Sequence, residues 1–138
     1  MGGGKKKGKG TRPGGTGETL QEKSGDAASG YPSLCLRHVR QGYGVEELSE
    51  GQRSEFLVKW AKRSRFTWAE LQLHQKHGLG FEYLPAHQIK KVAPDALAQN
   101  KYMVVRHEGN LPAVGYKVGD TFYVLWIEAC YGDVYNHG

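Results

Sequence analysis

The 138-residue sequence predicts an α+β domain with an antiparallel sheet of about four strands and a helical hairpin on one face, in the order β-α-α-β-β-β. Two observations predict this class. Residues 49 to 77 contain two capping-box patterns followed by apolar residues at helical spacing. Residues 101 to 128 contain three runs with the period of two typical of strands, separated by glycine-bearing turns. A first strand near residue 34 is expected to pair into the same sheet.

The first 30 residues differ in composition from the rest of the chain. They contain ten of the 20 glycines, six basic residues against three acidic ones, and almost no large apolar side chain. Such a segment buries too little apolar surface to build a core, so we predict a disordered basic tail at 1–30 and a single domain at 31–138. A tail of this kind binds polyanions loosely, and a purely solubilising role fits the composition equally well.

No apolar run approaches the roughly 20 residues that span a bilayer. The lysines near the N-terminus are not followed by a hydrophobic stretch, so the sequence also lacks the pattern of a secretory signal. We therefore expect no membrane partner and a cytoplasmic location.

The first strand is predicted within Leu34 to Arg40, where β-compatible residues end at the glycines 42 and 44. Ser49 and Gln52 form a capping box, and helix one is predicted from there to Ser64. Its apolar positions recur at helical spacing: Phe56, Leu57, Trp60 and Ala61.

The other face of helix one is basic, and we take it as a candidate nucleic-acid surface. It is made of Arg53, Lys59, Lys62 and Arg63, with Arg65 just beyond the helix. Clustered Lys and Arg side chains bind phosphates without sequence preference.

Helix two is predicted from Thr67, whose capping box is completed by Glu70, to the Gly78 that follows His77. The next segment, 79–100, contains Pro85 and Pro94, which exclude a long helix. We expect irregular chain there, with a short helical turn near His87 to Lys91.

Three strands complete the prediction: Tyr102 to His107, Pro112 to Val118 and Thr121 to Glu128. The last is apolar on both faces and is therefore expected in the interior of the sheet. The final residues, 129–138, carry Tyr131, Asp133, Tyr135 and His137, and are expected to add at most a short strand.

This pattern resembles the RelE/ParE superfamily of bacterial toxins. The similarity covers roughly residues 33 to 138 and includes the element order, the basic hairpin, Arg106 closing one strand, the following hairpin AVGYKVGDTFYVLWI and the terminal GDVYNH. It implies a small sheet-plus-hairpin toxin. The ribonuclease branch of that superfamily cuts messenger RNA, usually on the ribosome, so the resemblance also implies RNA or the ribosome and a cognate antitoxin as partners.

RNA cleavage without a metal needs a base for the 2′-hydroxyl, an acid for the leaving 5′-oxygen and a cation for the phosphorane. His137 and His107 are candidates for proton transfer, and Arg106 and Lys117 for phosphate binding. Tyr135 offers a hydroxyl or a ring that stacks on a base.

Arg106 and His107 are neighbours in a strand, so only one of them can face a shared cleft. Arg106 is the favoured one, which makes the predicted catalytic set Arg106, Lys117, Tyr135 and His137. Glu128, at the end of the last strand, is an alternative base.

A metal site is not expected. His74 and His77 lie three residues apart on helix two, but no further ligand at matching spacing completes a set of three or four. No cofactor is expected either.

The sequence thus favours the toxin of a toxin-antitoxin pair, acting as a metal-independent endoribonuclease on translated mRNA. The alternatives are a non-enzymatic nucleic-acid- or ribosome-binding module using the basic hairpin and the tail, and a protein-interaction domain whose charge is incidental. The enzyme requires the four catalytic candidates to converge in one cleft, whereas the binding module requires only a continuous basic surface.

Overall fold

A computed structural model describes residues 30–137 of the chain. The predicted tail at 1–30 lies outside this range except for its last residue, Gly30. The elements are β1 (Ser33–Cys35), α1 (Glu50–Arg63), α2 (Trp68–Leu71), β2 (Phe81–Pro85), β3 (Lys101–Glu108), β4 (Leu111–Val118) and β5 (Thr121–Ile127). Short 3₁₀ turns lie at Val45–Glu47, Ala86–Gln88 and Asp95–Leu97.

The strands form one five-stranded sheet in the order β1-β5-β4-β3-β2. Strand β1 runs parallel to β5, and the other neighbours are antiparallel. The α+β class is confirmed, as is the pairing of the first strand into the sheet. The expectation of about four antiparallel strands is wrong, because β2 adds a fifth strand and the β1–β5 pair makes the sheet mixed.

Strand β2 lies in the segment that was expected to be irregular. Its last residue, Pro85, pairs with Lys101 at the outer edge of the sheet. A proline lacks the amide proton of a ladder hydrogen bond, so it is tolerated at an edge strand and at a strand end. Pro85 therefore marks the end of β2: it excludes a long helix, as predicted, but it is compatible with a strand.

Helix α1 begins at its predicted capping box. The Ser49 hydroxyl accepts a hydrogen bond from the Gln52 amide at 3.2 Å, and the Gln52 side chain accepts one from the Ser49 amide at 2.9 Å. Helix α2 has the same cap, formed by Thr67 and Glu70.

Helix α2 is much shorter than expected and ends at Leu71. After Trp68 and Leu71, the next positions on the core-facing stripe are Gln72 and Gln75, which are polar. Leu73 is 87% exposed, so it does not extend the buried face. Because a second helical turn would have no apolar side chain to bury, the helix stops after its first turn and the chain changes direction.

The sheet is buried on both faces. On one face, α1 and α2 cover a core that contains Phe56, Trp60, Trp68, Leu71, Met103, Val105, Phe122 and Val124. The other face is covered by residues 86–97 and by the chain after β5, around a core that contains Ile89, Ala93, Tyr102, Val104, Val114, Leu125, Trp126, Val134 and Tyr135. An isolated bridge pairs Ile89 with Tyr135 within this cover.

A bulge interrupts the pairing of β3 with β4 at the end of β3. Arg106 pairs with Pro112 and Glu108 with Leu111, so His107 is the extra residue. Arg106 and His107 still point to opposite faces, as neighbouring strand residues do. Arg106 lines a cavity with Tyr135, whereas His107 contacts Phe56, and both side chains are buried.

Candidate active site

A cavity of about 290 Å³ opens beside the end of β3, between the edge strand β2 and the C-terminal chain. It is lined by Lys76, His77, Glu82, Leu84, Gln88, Arg106, Asn110, Tyr131, Tyr135, Asn136 and His137. This set contains three of the four predicted catalytic residues: Arg106, Tyr135 and His137. We call it the active-site cavity.

Arg106 is only 3% exposed. Its Nη2 donates to Glu82 Oε2 at 3.1 Å, while Nε and Nη1 are buried and have no hydrogen-bond partner. Glu82 also accepts a hydrogen bond from Lys76 Nζ at 3.2 Å. The guanidinium is thus held in place by one carboxylate, and it lines the cavity with two donor nitrogens that have no hydrogen-bond partner.

The carboxyl group of Glu82 is held in its ionised form by these two cations. Burial by itself raises the pKa of Glu82, but the hydrogen bonds from Lys76 and Arg106 outweigh burial and lower this pKa below its usual range. The cavity wall therefore carries a fixed Lys76–Glu82–Arg106 network with one surplus positive charge.

Tyr135 brings an unsatisfied hydroxyl to the same cavity. The residue is 5% exposed, and its hydroxyl has no hydrogen-bond partner. Burial raises the pKa of Tyr135 to about 12, although the nearby Arg106 opposes this shift. At neutral pH the group is a phenol, able to donate a proton or a hydrogen bond but not to act as a base.

His137 is oriented by Glu128, which follows β5 and is fully buried. Glu128 Oε1 lies 2.8 Å from His137 Nε2, and Glu128 Oε2 accepts the Val134 amide at 2.8 Å. A carboxylate at Nε2 favours the tautomer with its proton on that nitrogen, which leaves Nδ1 with a lone pair. The pair resembles the oriented histidine of many acid–base sites.

Two tyrosines hold the His137 ring from both sides. Its centroid lies 4.0 Å from that of Tyr131 and 4.3 Å from that of Tyr135, with interplanar angles of 30° and 16°. The His137 side chain is only 4% exposed as a result. The two tyrosines and Glu128 thus restrict the imidazole to one orientation in the cavity that Arg106 also lines.

His107 has a structural environment on the helix-covered face. It does not line the active-site cavity; its Nε2 donates to the Glu128 carbonyl at 2.9 Å, and its ring meets Phe56 edge-on. Burial lowers the pKa of His107, so the ring is neutral. The expectation that only one of Arg106 and His107 faces the cleft agrees with this geometry, and that residue is Arg106.

Lys117 lies away from the active-site cavity, so the expected convergence of all four catalytic candidates is wrong for this residue. Its Nζ lies 5.5 Å from the Trp68 ring centroid, and the side chain lines a different cavity. Arg106 pairs with Pro112 at the start of β4, whereas Lys117 is near the end of β4. An antiparallel hairpin necessarily separates these positions, by roughly 17 Å over five residue steps.

Lys76 supplies the second cation that Lys117 was expected to provide. Sequence reasoning missed Lys76 and Glu82, because the first follows a helix that ends early and the second lies in the unrecognised strand β2. Recognising β2 as the edge strand beside β3 would have placed Glu82 next to Arg106.

The predicted basic surface on α1 loses one member, Arg63, which is fully buried. Its guanidinium donates to the carbonyl oxygens of Leu79 at 3.0 Å, Gly78 at 3.3 Å and Arg106 at 2.6 Å. Burial lowers the pKa of Arg63 to about 10, which still leaves it charged at neutral pH. Placing Arg63 on a nucleic-acid surface was wrong, because the residue joins α1 to β3.

The other basic residues of this surface remain accessible. Arg53, Lys62 and Arg65 are exposed, and Lys59 is partly buried. Burial, followed by the nearby charge of Arg63, lowers the pKa of Lys59.

Within residues 30–137, no three or more His, Cys, Asp or Glu side chains are grouped so as to hold a metal ion. None of the helices in this part of the chain is long and apolar enough to cross a bilayer.

Comparisons with family models, with curated proteins and with solved structures found no match to this chain. Membership of the RelE/ParE superfamily therefore stays a prediction from element order and the quoted segments.

Proposed function

We propose that this protein is a metal-independent endoribonuclease that cuts translated mRNA as the toxin of a toxin–antitoxin pair. The supporting observation is the convergence of three unsatisfied or oriented groups on one cavity: the free guanidinium nitrogens of Arg106, the hydroxyl of Tyr135 and the imidazole of His137. A phosphate donor, a proton donor and a proton acceptor are the parts that RNA cleavage requires.

In the proposed reaction, Nδ1 of His137 takes the proton of the ribose 2′-hydroxyl. The 2′-oxygen then forms a bond to phosphorus, while the bond between phosphorus and the 5′-oxygen breaks. Tyr135 donates its proton to the departing 5′-oxygen. The products are a 2′,3′-cyclic phosphate and a 5′-hydroxyl.

Arg106 binds the non-bridging phosphate oxygens, on which negative charge accumulates as the reaction proceeds. Because its side chain is almost completely buried and fixed by Glu82, it needs little reorganisation to stabilise that charge. Lys76 adds positive charge at the cavity mouth. Glu128 is a positioning residue, since it acts by orienting His137 through the contact of its Oε1 with Nε2.

The proposed antitoxin and ribosome partners follow from the resemblance. The outer side of α1 offers a surface that fits such a partner, since Leu57 and Val58 are 70% and 42% exposed beside the basic residues Lys62 and Arg65. An acidic amphipathic segment would match both its charge and its apolar positions.

The test is cleavage of a single-stranded RNA by the purified full-length protein in the presence of a chelator, with growth arrest as the cellular readout. His137→Gln and Arg106→Ala should each lower the rate by about 10² to 10⁴. Tyr135→Phe should also lower it, because the ring is kept and the proton is lost. Glu128→Gln should lower kcat with little change in KM.

The matched controls are His87→Gln and Arg53→Ala, which alter the same residue types outside the active-site cavity. His87→Gln should cleave like the parent, and Arg53→Ala should lose less activity than Arg106→Ala, because Arg53 lies on the α1 surface and not in the cavity. Melting curves should show that every variant is folded. A substrate with 2′-deoxyribose at the scissile position should stay intact. If the parent protein cleaves no RNA and expression is harmless, the enzyme is rejected in favour of the binding module on α1.

A further inference from the structure

A second cavity lies at the other end of β3. It is lined by Lys117, the catalytic candidate that does not line the active-site cavity. Its volume is about 300 Å³, and it is lined by Tyr83, Gln99, Asn100, Lys101, Tyr116 and Lys117. Lys101 begins β3 and Arg106 is near its end, so the two cavities are separated by roughly 17 Å along the strand. We call the second cavity the distal site.

Two lysines of the distal site lie on neighbouring strands. Met103 pairs with Gly115, and the same register continued by two residues sets Lys101 opposite Lys117. The ion pairs within residues 30–137 include neither lysine. Like charges directly opposite each other destabilise a sheet. A bound anion would remove the repulsion.

One aromatic ring lies close to each of the two ammonium groups. Lys101 Nζ lies 4.6 Å from the Tyr83 centroid, and Lys117 Nζ lies 5.5 Å from the Trp68 centroid. Tyr116 stacks on Tyr123 at 5.2 Å with an interplanar angle of 16°. Tyr83 is 43% exposed, so part of its ring is accessible to a ligand.

We infer that the distal site binds single-stranded RNA outside the nucleotides that are cleaved. Proteins that bind single strands combine a positively charged groove for the backbone with aromatic rings on which unpaired bases stack. Lys101 and Lys117 supply the phosphate contacts here, and Tyr83 supplies the exposed ring. The inference rests on the proposed function, which makes RNA the polyanion.

The edge strand β2 connects the two sites. Tyr83 lines the distal site, whereas its neighbours Glu82 and Leu84 line the active-site cavity. An RNA strand that crosses this edge can therefore occupy both cavities. The distal site would hold the strand while Arg106 binds the scissile phosphate.

The experiment measures binding of a fluorescent single-stranded RNA with 2′-O-methyl sugars, which cannot be cleaved, to the full-length chain over a series of salt concentrations. Lys101→Gln/Lys117→Gln should weaken binding at least tenfold and reduce the salt slope by about 1.4, for two single-strand phosphate contacts. Lys101→Arg/Lys117→Arg should retain most of the affinity. A comparison pair, Lys62→Gln/Arg65→Gln, removes the same charge from the candidate surface on α1, and the inference requires a larger loss of affinity in the distal pair than in this one.

Tyr83→Leu tests the aromatic contact. It should weaken binding of the single strand by about 5- to 150-fold, the range expected for one lost base-stacking contact, and leave binding of duplex RNA unchanged. Melting temperatures and circular dichroism check that each variant is folded. The inference would be overturned if the distal lysine substitutions and the α1 substitutions weakened RNA binding equally, or if the distal substitutions did not weaken it.

The probe separates this inference from the proposed function because it cannot be cut. If the parent cleaves RNA but the distal variants bind normally, the distal site alone is rejected. If the distal variants lose binding and the parent cleaves no RNA, the distal site stands and the nuclease is rejected.

Discussion

At the scale of single residues, three buried cationic or titratable side chains near the end of β3 have different surroundings. Arg63 and His107 donate to backbone carbonyls, so their polar atoms hold the fold together. Arg106 donates to a side chain and keeps two unpartnered nitrogens beside a cavity. Burial is common to all three. Each of the three also keeps at least one buried nitrogen without a hydrogen-bond partner, so what separates Arg106 is that it lines the active-site cavity.

Stability below neutral pH should depend on His107. Because burial lowers its pKa in the folded protein, the unfolded chain binds a proton more readily, and the contribution of His107 is lost as the pH falls below its ordinary value of about 6.5. The loss can reach about 1.4 kcal/mol per pH unit. Urea unfolding of His107→Gln between pH 7 and 5.5 should show a shallower decline than the parent.

The control for this measurement is His87→Gln, at an exposed position, which should follow the parent. Glu82 also stabilises the folded state through a lowered pKa, but its contribution is lost only below about 4.5, outside this window. Parallel curves for the parent and His107→Gln would contradict the prediction.

At the scale of elements, α1 is attached to the sheet through its C-terminal end. Arg63 reaches from the last turn of α1 to the chain before β2 and to β3. Trp60, one turn earlier, stacks on Phe122 of β5 with centroids 5.6 Å apart. The helix is therefore fixed to the strand that carries Arg106, and the carbonyl of Arg106 is one of its anchors.

Arg63→Met should destabilise the protein by about 2 to 5 kcal/mol, because it keeps the aliphatic stem but leaves three carbonyl acceptors without their donor. The neighbouring Lys62→Met changes an exposed side chain and should stay within about 0.5 kcal/mol of the parent. Urea denaturation measures both. If both substitutions lowered the free energy of unfolding equally, Arg63 would not anchor α1 to the sheet.

At the scale of the whole molecule, the active-site cavity exists because the sheet has two covered faces. The second face is covered by short 3₁₀ turns and by the chain after β5. Irregular chain can bring Tyr131 and Tyr135 around the imidazole of His137, whereas a regular helix at the same place would spread these side chains over its surface. The catalytic candidates thus belong to the less regular layer.

Removing residues 1–29 should leave the melting temperature unchanged within a few degrees, since a segment so rich in glycine and lysine buries little on folding. Removing residues 1–32 should lower it, because Gly30 accepts the Trp68 amide at 2.7 Å and donates to Asp120 at 2.6 Å. A loss of about 1 kcal/mol corresponds to roughly 4 to 8 °C for a domain of this size. Calorimetry on both deletions measures the difference in melting temperature. A marked fall in melting temperature after removal of residues 1–29 would show that the tail packs on the domain.

The sequence by itself determined the α+β class, α1 with its capping box, and the three strands from residue 101 onward. Capping, helical periodicity and strand alternation are local properties, so a single chain reveals them without its tertiary contacts. Residue chemistry, read together with the resemblance to the RelE/ParE superfamily, pointed to Arg106, Lys117, Tyr135 and His137.

Only the tertiary structure decided which elements meet and which side chains face inward. Strand β2 depends on pairing with β3, and the parallel β1–β5 pair joins segments more than 80 residues apart. The burial of Arg63 and the Glu128–His137 contact likewise depend on packing that no local pattern encodes. Lys117 was misplaced for the same reason: residue type marks a possible phosphate ligand, but strand pairing sets the cavity to which it belongs.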